Sequence, residues 1–221
     1  MCPILPPLTR IHSALVLLFL AGWVHRDIST GNIIVVEDDL GNARGFLSDL
    51  EYAKEMSTES SSSDPKVVCV DAKVRCCLTL DQGTPHFMPW EIHRGERYVH
   101  HSGVPLPQLL KKRKQSQANT NLRPSNPPIP ILRYKCNHDL ESLMWVALYV
   151  VFRLVAWPKA QKLCPKIFMN SSHPSKDRER FFTTSYVPVD SFHPQLSGFP
   201  DAFETIRDSL WSICDEFEPQ C

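Results

Sequence analysis

The sequence predicts an α+β fold that is mainly α-helical, on the evidence of two kinds of segment. Two apolar stretches, residues 10–21 and 139–154, have the length of helices rather than of strands. Between them, the apolar runs 33–36 and 45–48 flank a segment of turn residues at 37–42, which is typical of a β-hairpin. The chain has 221 residues, of which 43% are hydrophobic. This is enough for one domain with a buried core.

The first helix and the central helix have different surroundings in the sequence. Residues 1–8 contain three prolines and are predicted to form an irregular lead-in. Thr9 is the predicted N-cap of the helix over about 10–21, and Gly22 is its predicted C-terminal stop. The helix over 139–154 is apolar on nearly all of its faces, which indicates a buried position in the core.

Two long loops and a final helix complete the predicted organisation. Residues 54–82 are polar, with only Ser, Thr and Glu at 57–63, and residues 99–135 contain six prolines and the basic run 111–114. A basic run can serve as a nuclear import signal, although a solvated loop is the more common case. A last helix over about 202–217 is predicted to place its apolar residues on one stripe: Phe203, Ile206, Leu210, Ile213 and Phe217.

The charge, cysteine and hydropathy patterns argue against several functions. Lys plus Arg and Asp plus Glu both number 24, so no net charge favours nucleic acid or an anionic membrane as a partner. The eight cysteines form no C-x-x-C pair, which argues against a zinc site and indicates a reducing intracellular compartment, cytoplasm or nucleus.

The apolar run 14–24 is shorter than the roughly 20 residues that span a bilayer. We interpret it as a helix buried beneath the following loop; the alternative is the core of a signal peptide.

Residues 25–32, His-Arg-Asp-Ile-Ser-Thr-Gly-Asn, carry the clearest chemical signal in the chain. Their spacing is H-R-D-x-x-x-x-N, the pattern of a protein kinase catalytic loop. An Asp at the position of Asp27 accepts a hydrogen bond from the hydroxyl that attacks phosphorus. An Asn at the position of Asn32 reaches a metal ion at the nucleotide phosphates. The alternative is that both residues only form turns.

Three further segments match kinase motifs in the expected order, and with residues 25–32 they give a resemblance to the fungal-type protein kinase family. They are Phe-Leu-Ser-Asp-Leu-Glu-Tyr-Ala at 46–53, Gly-Thr-Pro-His-Phe-Met-Pro-Trp-Glu at 83–91 and His-Asp-Leu-Glu-Ser-Leu-Met-Trp at 138–145. The resemblance implies a protein kinase-like C-terminal lobe over 9–221. Within it, 54–82 would be the activation-type loop and 99–135 a Pro-rich basic insert.

The resemblance also implies an activity and the residues that carry it. The chain would transfer a phosphoryl group from ATP to Ser or Thr hydroxyls of a protein substrate. Asp27 would be the base, and Asn32 and Asp49 would bind Mg²⁺, a hard ion that takes oxygen ligands. Two departures from the usual kinase pattern are Ser29 in place of Lys, and Leu and Glu in place of Phe and Gly after Asp49.

Five residues would support this chemistry if the resemblance extends to their roles. His25 is a structural residue of the loop, and Arg26 would brace the loop against the segment between residues 49 and 91. Thr84 would support the catalytic Asp. Glu91 would pair with a distant Arg that the sequence does not identify. Asp139 would tie down the loop backbone at the start of a helix, and its alternative role is a plain N-cap.

The smaller, N-terminal lobe of a kinase has no counterpart in the sequence. That lobe supplies a glycine-rich turn over the phosphates, a strand Lys and a helix Glu, whereas the 24 residues before His25 contain no Lys, no Glu and no Gly-rich motif. We therefore expect weak ATP binding by this chain alone. We also expect an apolar interlobe face that a separate N-terminal lobe or a partner chain covers. The alternative function is a non-catalytic, kinase-derived interaction module or an inactive truncated product.

Overall fold

The fold is mainly helical, with a few short antiparallel strands, which agrees with the predicted α+β class. The computed structural model describes residues 5–56, 84–94, 134–169, 173–183 and 188–216. Within these ranges, no helix combines the length and the apolar character that a membrane crossing requires.

The two predicted loops lie largely outside the described residues. Of the segment 54–82, only residues 54–56 are described, and the first two of them form a strand rather than a loop. Of the segment 99–135, only Tyr134 and Lys135 are described. The serine-rich run 57–63 and the basic run 111–114 are not among the described residues.

The first helix, α1 (Leu5–Leu20), begins earlier than predicted. The irregular lead-in predicted for 1–8 is therefore wrong over its second half, and Thr9 lies inside the helix instead of capping it. Pro6 and Pro7 explain the difference, because proline is tolerated in the first helical turn, where the backbone N–H has no intrahelical acceptor. Prolines that indicated irregular structure in the sequence thus belong to a helix start.

Gly22 ends α1 as predicted, in the left-handed conformation that favours glycine, with φ of 84°. The chain then turns directly into β1 (Trp23–Val24), which pairs antiparallel with β4 (Lys54–Glu55). The Gly22 carbonyl accepts a hydrogen bond from the Met56 N–H at 2.7 Å. These contacts hold Met56, the residue after β4, beside Gly22 at the end of α1, just before the loop 25–32.

The predicted hairpin is confirmed, with β2 (Ile33–Glu37) antiparallel to β3 (Ala43–Leu47). The Asp38 carboxylate closes its turn by accepting the N–H of Leu40 at 3.0 Å and of Asn42 at 2.8 Å. Gly45 lies against α1, because a Cβ at this position would stand 2.5 Å from the Pro7 carbonyl oxygen. Only glycine lets β3 approach the helix this closely.

The helices after the hairpin pack around α3 (Cys136–Leu154), the buried helix that the sequence predicts over 139–154. The others are α2 (Trp90–Arg94), α4 (Pro158–Ile167), α5 (Lys176–Thr183) and α6 (Phe199–Glu216), with 3-10 turns at Val189–Ser191 and Pro194–Leu196. The helices α4 and α5 were not predicted. Pro165 lies inside α4, where proline is unusual, and α5 has only two apolar residues, Phe181 and Phe182.

Trp145 of α3 is the centre of an aromatic core. Its ring centroid lies 6.1–6.5 Å from those of four phenylalanines on the surrounding helices and the turn after α4: Phe168, Phe181, Phe182 and Phe203. Aromatic pairs at this spacing stabilise the fold beyond the contribution from burying their apolar surface. This cluster joins α3, α5 and α6 into one unit.

The final helix differs from the predicted stripe at one described position. Phe203 and Leu210 are buried, but 48% of Ile206 is exposed. Arg207 is buried instead of Ile206. The buried side of the helix therefore contains Phe203, Arg207 and Leu210, at the spacing of four and seven residues that one helix face requires. The predicted apolar positions Ile213 and Phe217 are not among the described side chains.

Several large apolar side chains are exposed. Leu17 and Leu20 of α1 have exposed fractions of 67% and 73% and lie on one side of the helix. In the hairpin Ile34, Val35 and Phe46 are each about half exposed, with Val35 on the opposite side of the strands from Ile34 and Phe46. The interpretation of residues 14–24 as a buried helix is therefore wrong for this side of α1. We call Leu17 and Leu20 the apolar face, since exposed apolar side chains grouped on one side of a helix are of the kind that marks an interaction site.

Candidate functional site

Asp27 is held on both carboxylate oxygens. Its Oδ2 accepts a hydrogen bond from Asn32 Nδ2 at 2.8 Å, and its Oδ1 accepts one from the Thr84 backbone N–H at 3.1 Å. Asn32 Nδ2 also donates to the Asp27 carbonyl oxygen at 2.9 Å. The side chain is half-buried, so it reaches solvent while its orientation is fixed. Two segments 57 residues apart thus meet at one carboxylate.

His25 connects the loop to the strand that follows the hairpin turn. The imidazole is fully buried, and its Nδ1 accepts a hydrogen bond from the Asp27 N–H at 3.3 Å. This leaves the ring proton on Nε2, which donates to the Ser48 carbonyl at 3.1 Å. His25 therefore sets the distance between Asp27 and the residue that precedes Asp49.

Asp139 fixes the backbone at the start of the same loop. Its Oδ2 accepts the His25 N–H at 2.7 Å, and its Oδ1 accepts the Arg26 N–H at 2.9 Å and the Tyr134 hydroxyl at 3.1 Å. Burial raises the pKa of Asp139, and the two backbone hydrogen bonds oppose that shift. Lys135 is the N-cap of α3, so the alternative role of Asp139 as a plain N-cap does not describe its position.

Arg26 has a left-handed backbone, with φ of 74°. Its guanidinium lies over the Tyr134 ring, 5.9 Å from the centroid. Burial raises the pKa of Tyr134, so its hydroxyl stays protonated and continues to donate to Asp139. Most of the segment that Arg26 was predicted to brace lies outside the described residues. A non-glycine residue at positive φ costs roughly 1–2 kcal/mol, and the hydrogen bonds to Asp139 offset this strain.

Asn32 and Asp49 lie at the open end of the hairpin. The Asn32 carbonyl accepts both the N–H and the hydroxyl of Ser48, at 2.9 Å and 3.1 Å, and Asp49 is the next residue. Asp49 also has a left-handed backbone, with φ of 62°. Its Oδ1 accepts the Glu51 N–H at 3.4 Å. The pairing of Asn32 with Ser48 brings the two predicted Mg²⁺ ligands to neighbouring positions.

The donor chemistry of Asn32 and Asp49 fits Mg²⁺. Because Asn32 Nδ2 points at Asp27, the amide oxygen Oδ1 is directed elsewhere, and Asp49 keeps a second carboxylate oxygen. Mg²⁺ takes oxygen ligands and is usually bound by one or two protein groups together with water and substrate phosphates. In the described part of the chain, no three His, Cys, Asp or Glu side chains form a metal cluster. The fit therefore rests on one amide and one carboxylate.

Arg178 holds the segment that carries Thr84, and the sequence analysis did not identify it. The buried guanidinium donates to the carbonyls of Pro85 at 3.1 Å and His86 at 2.7 Å, and also to that of Met88. It stacks on the Trp145 ring at 4.4 Å. Burial lowers the pKa of Arg178 to about 10, so the side chain is still a cation at neutral pH.

Glu141 supplies the nearby negative charge. Its Oε1 accepts the Trp90 N–H at 2.6 Å and the Trp145 Nε1–H at 2.9 Å. Burial raises the pKa of Glu141, while these hydrogen bonds and the charge of Arg178 oppose the shift. Together Arg178 and Glu141 fix both ends of residues 85–90 against the core.

Glu91 of α2 forms a hydrogen bond with His138 of α3. His138 Nδ1 accepts the Lys135 N–H at 3.0 Å, so its Nε2 carries the proton and donates to Glu91 Oε2 at 2.9 Å. The distant Arg expected as the partner of Glu91 stays a prediction. The contacts of Arg178 described above are with the backbone carbonyls of Pro85 and His86.

His86 makes the stability of this segment depend on pH. Burial and the charge of Arg178 lower the pKa of His86 below its ordinary value of 6.5. As the pH falls, the unfolded chain therefore binds the proton first, and stability is lost between the ordinary pKa and the lower folded pKa. We expect His86→Gln to lose less stability than wild type between about pH 7 and pH 5, as measured by urea unfolding. His12→Gln, at an exposed position on α1, is the control and should retain the wild-type dependence; equal slopes in all three proteins would contradict the assignment.

The comparisons with known proteins agree with this geometry. The profile of the fungal protein kinase family matches residues 9–151, which is more than half of the chain and includes the 25–32 loop, the hairpin and most of α3. A search of curated proteins finds no match to the chain. The matched range contains the His-Arg-Asp loop, the Asp49 segment and the helix that begins before Asp139, in that order. From the length of this match, the chain belongs to the fungal protein kinase family.

Proposed function

We propose that this chain carries the catalytic base and the metal ligands of a protein kinase that transfers a phosphoryl group from ATP to Ser or Thr hydroxyls of a protein. The observation that supports this best is the environment of Asp27. Its carboxylate is oriented by Asn32 and by the Thr84 N–H, yet the side chain remains half exposed. A base must be fixed and accessible at once, because catalysis of phosphoryl transfer depends mainly on positioning and charge.

Each residue has a proposed part in the transfer. Asp27 accepts a hydrogen bond from the acceptor hydroxyl and orients its oxygen toward phosphorus. Asn32 and Asp49 hold Mg²⁺, which neutralises charge on the phosphates when MgATP is bound. His25 and Asp139 keep the loop in place through its backbone.

A protein acceptor, rather than a small molecule, is supported by the segment that carries Thr84. Residues 84–86 are half-exposed beside Asp27, and Arg178 and Glu141 hold the segment rigidly behind them. A fixed, accessible strip of backbone next to the base is suited to align an extended polypeptide. ATP as donor and protein as acceptor are consistent with an intracellular site of action.

The direct test is transfer of radiolabelled phosphate from MgATP at millimolar concentration to a mixture of Ser- and Thr-containing peptides. We expect Asp27→Asn to lower the rate at least about hundredfold, because a general base typically contributes this much. Asp39→Asn, an exposed turn residue, is the matched control and should keep the wild-type rate. Equal rates for wild type and Asp27→Asn, or no transfer by wild type, would remove support for the proposal.

The apolar face favours a second candidate function, a kinase-derived module that binds another protein. Leu17 and Leu20, which form it, are each more than half exposed. Leu50, which directly follows Asp49, is also more than half exposed. In this case a partner chain covers the face, and Asp27 takes no part in chemistry. Partner binding that Leu17→Asp abolishes, in a protein without any Asp27-dependent transfer, would favour this candidate over the first.

A further inference from the structure

A basic cavity lies between α4 and α5, and no residue of the candidate catalytic site lines it. Its volume is about 320 Å³. Lys159, Lys162 and Lys166 of α4 stand three and then four positions apart, so they share one face of the helix. Arg180 of α5 lines the opposite wall, and Phe181 contributes apolar surface. We call this site the α4–α5 cavity.

The α4–α5 cavity has an excess of positive charge. Four basic residues line it against two acidic residues, Asp177 and Asp190, which leaves two positive charges (four minus two). Lys159 Nζ is paired with Asp190 Oδ2 at 2.7 Å. Lys162 and Lys166 make no ion pair with any carboxylate of the described residues. These two ammonium groups are therefore free to receive an anionic ligand.

The shape and lining of the cavity favour a peptide over other anionic partners. It is concave and has an apolar surface formed by Leu163, Phe181 and Pro188. A peptide can place an apolar side chain on this surface and carboxylates on the lysines. A membrane offers a broad surface, which does not enter a cavity as a peptide chain does. A nucleic acid binds best to a protein with an extended positively charged surface, whereas this chain has no net charge.

The position of α4 connects the cavity to the candidate catalytic site. Gln161 and Cys164 lie on another side of α4 and line a second cavity of about 440 Å³ together with His86. His86 is two residues from Thr84, whose N–H binds the Asp27 carboxylate. An extended peptide that crosses α4 from the first cavity therefore approaches the segment beside Asp27.

We propose that the α4–α5 cavity binds an acidic segment of the protein substrate, at a distance along the substrate from its acceptor hydroxyl. The identification of the bound protein as a substrate rests on the proposed function, whereas the binding of an acidic segment does not depend on it. The recognised chemistry is a run of Asp or Glu side chains that contains an apolar residue. Lys162 and Lys166 supply the charges, and Phe181 supplies the apolar contact.

The binding test uses the full chain without nucleotide and a fluorescein-labelled peptide in which Asp and Glu alternate around one Leu and one Phe. Fluorescence anisotropy is expected to show binding that weakens with added salt. The double variant Lys162→Glu/Lys166→Glu should raise the Kd by about tenfold or more, the combined effect of two exposed charge pairs. The matched control is Arg10→Glu/Lys176→Glu, which reverses two exposed charges outside the cavity and should leave the Kd unchanged.

Three outcomes would overturn the proposal. The first is equal binding of a peptide with Asn and Gln in place of Asp and Glu. The second is an unchanged Kd in the Lys162→Glu/Lys166→Glu variant with an unaltered circular dichroism spectrum. The third is equally tight, equally lysine-dependent binding of phosphatidylserine vesicles or of an RNA oligonucleotide, which would identify a general polyanion site.

A kinetic measurement separates this proposal from the proposed function. An acceptor peptide that carries the acidic segment should have a KM about tenfold lower than its neutral counterpart, with the same kcat, and the Lys162→Glu/Lys166→Glu variant should abolish the difference. Equal KM values for the two peptides refute the substrate-docking role. Failure of the proposed function would appear differently, as absence of Asp27-dependent transfer to both peptides while the labelled peptide still binds.

Discussion

Arg178→Met is expected to lower the free energy of unfolding by about 3–5 kcal/mol, because it removes a buried cation that donates to three backbone carbonyls and whose charge opposes the burial of the Glu141 carboxylate. The carbonyls of residues 85, 86 and 88 lose their donor. The Glu141 carboxylate keeps its two N–H donors but loses the charge of Arg178, one of the interactions that oppose the effect of its burial. Methionine fills much of the volume, so the cost is electrostatic rather than a cavity. Urea unfolding followed by tryptophan fluorescence measures the change.

Two controls make the Arg178 result interpretable. Lys176→Met changes an exposed residue of the same helix and should shift the free energy of unfolding by no more than about 0.5 kcal/mol. In a double-mutant cycle, Glu141→Gln combined with Arg178→Met should cost less than the sum of the two single changes, because neither charge is then left alone. Additive effects, or an Arg178→Met protein as stable as Lys176→Met, would falsify the role assigned to this pair.

Asp139→Asn is expected to release the loop that carries Asp27. The aspartate uses separate oxygens for the backbone N–H groups of His25 and Arg26, whereas asparagine has only one acceptor oxygen and turns an NH₂ group toward the other N–H. One buried donor is left without an acceptor, which costs about 1–3 kcal/mol. Arg26 at φ of 74° then has less to hold it in its strained conformation.

The readouts for Asp139→Asn are local as well as global. Hydrogen exchange at the amides of residues 25 and 26 should accelerate to the rate of a local opening, while the amides of α3 keep the protection of global unfolding after correction for the loss of stability. Phosphoryl transfer, if the proposed function holds, should fall about hundredfold through misplacement of Asp27. Asp39→Asn again serves as the control. Unchanged exchange at both amides would show that Asp139 does not hold the loop.

Segments with local chemical causes could be predicted from the sequence. The hairpin over 33–47 follows from the β-branched run 33–36 and the apolar residues Phe46 and Leu47, on either side of a turn that Asp38 closes with its own side chain. Gly22 stops α1 because the left-handed conformation is open to glycine. The catalytic-loop motif at 25–32 and the order of the segments behind it also identified the family that the profile match shows.

Helix boundaries and exposure were less predictable, because they depend on neighbours that the sequence does not name. Pro6 and Pro7 indicated irregular structure, yet they lie in the first turn of α1. Ile206 fits an apolar stripe by spacing, but the buried position belongs to Arg207. The helix α4 contains Pro165 in its interior, and α5 has only two apolar residues, yet both form against the core. In each case the packing of other elements decides.

The residues that support the site come together only through the tertiary structure. By itself, the sequence determined the order of the motifs from which Asp27, Asn32 and Asp49 are predicted to be a base and two metal ligands. The resemblance implied that Asp139 ties down the loop backbone, but not that its two oxygens accept the N–H groups of residues 114 and 113 positions earlier. Nor did it show that Arg178 binds carbonyls more than 90 residues earlier than itself, at 85 and 86. The spacing of residues within a motif can be read from the sequence. A buried hydrogen bond between distant residues forms only where folding brings the donor and the acceptor together out of water.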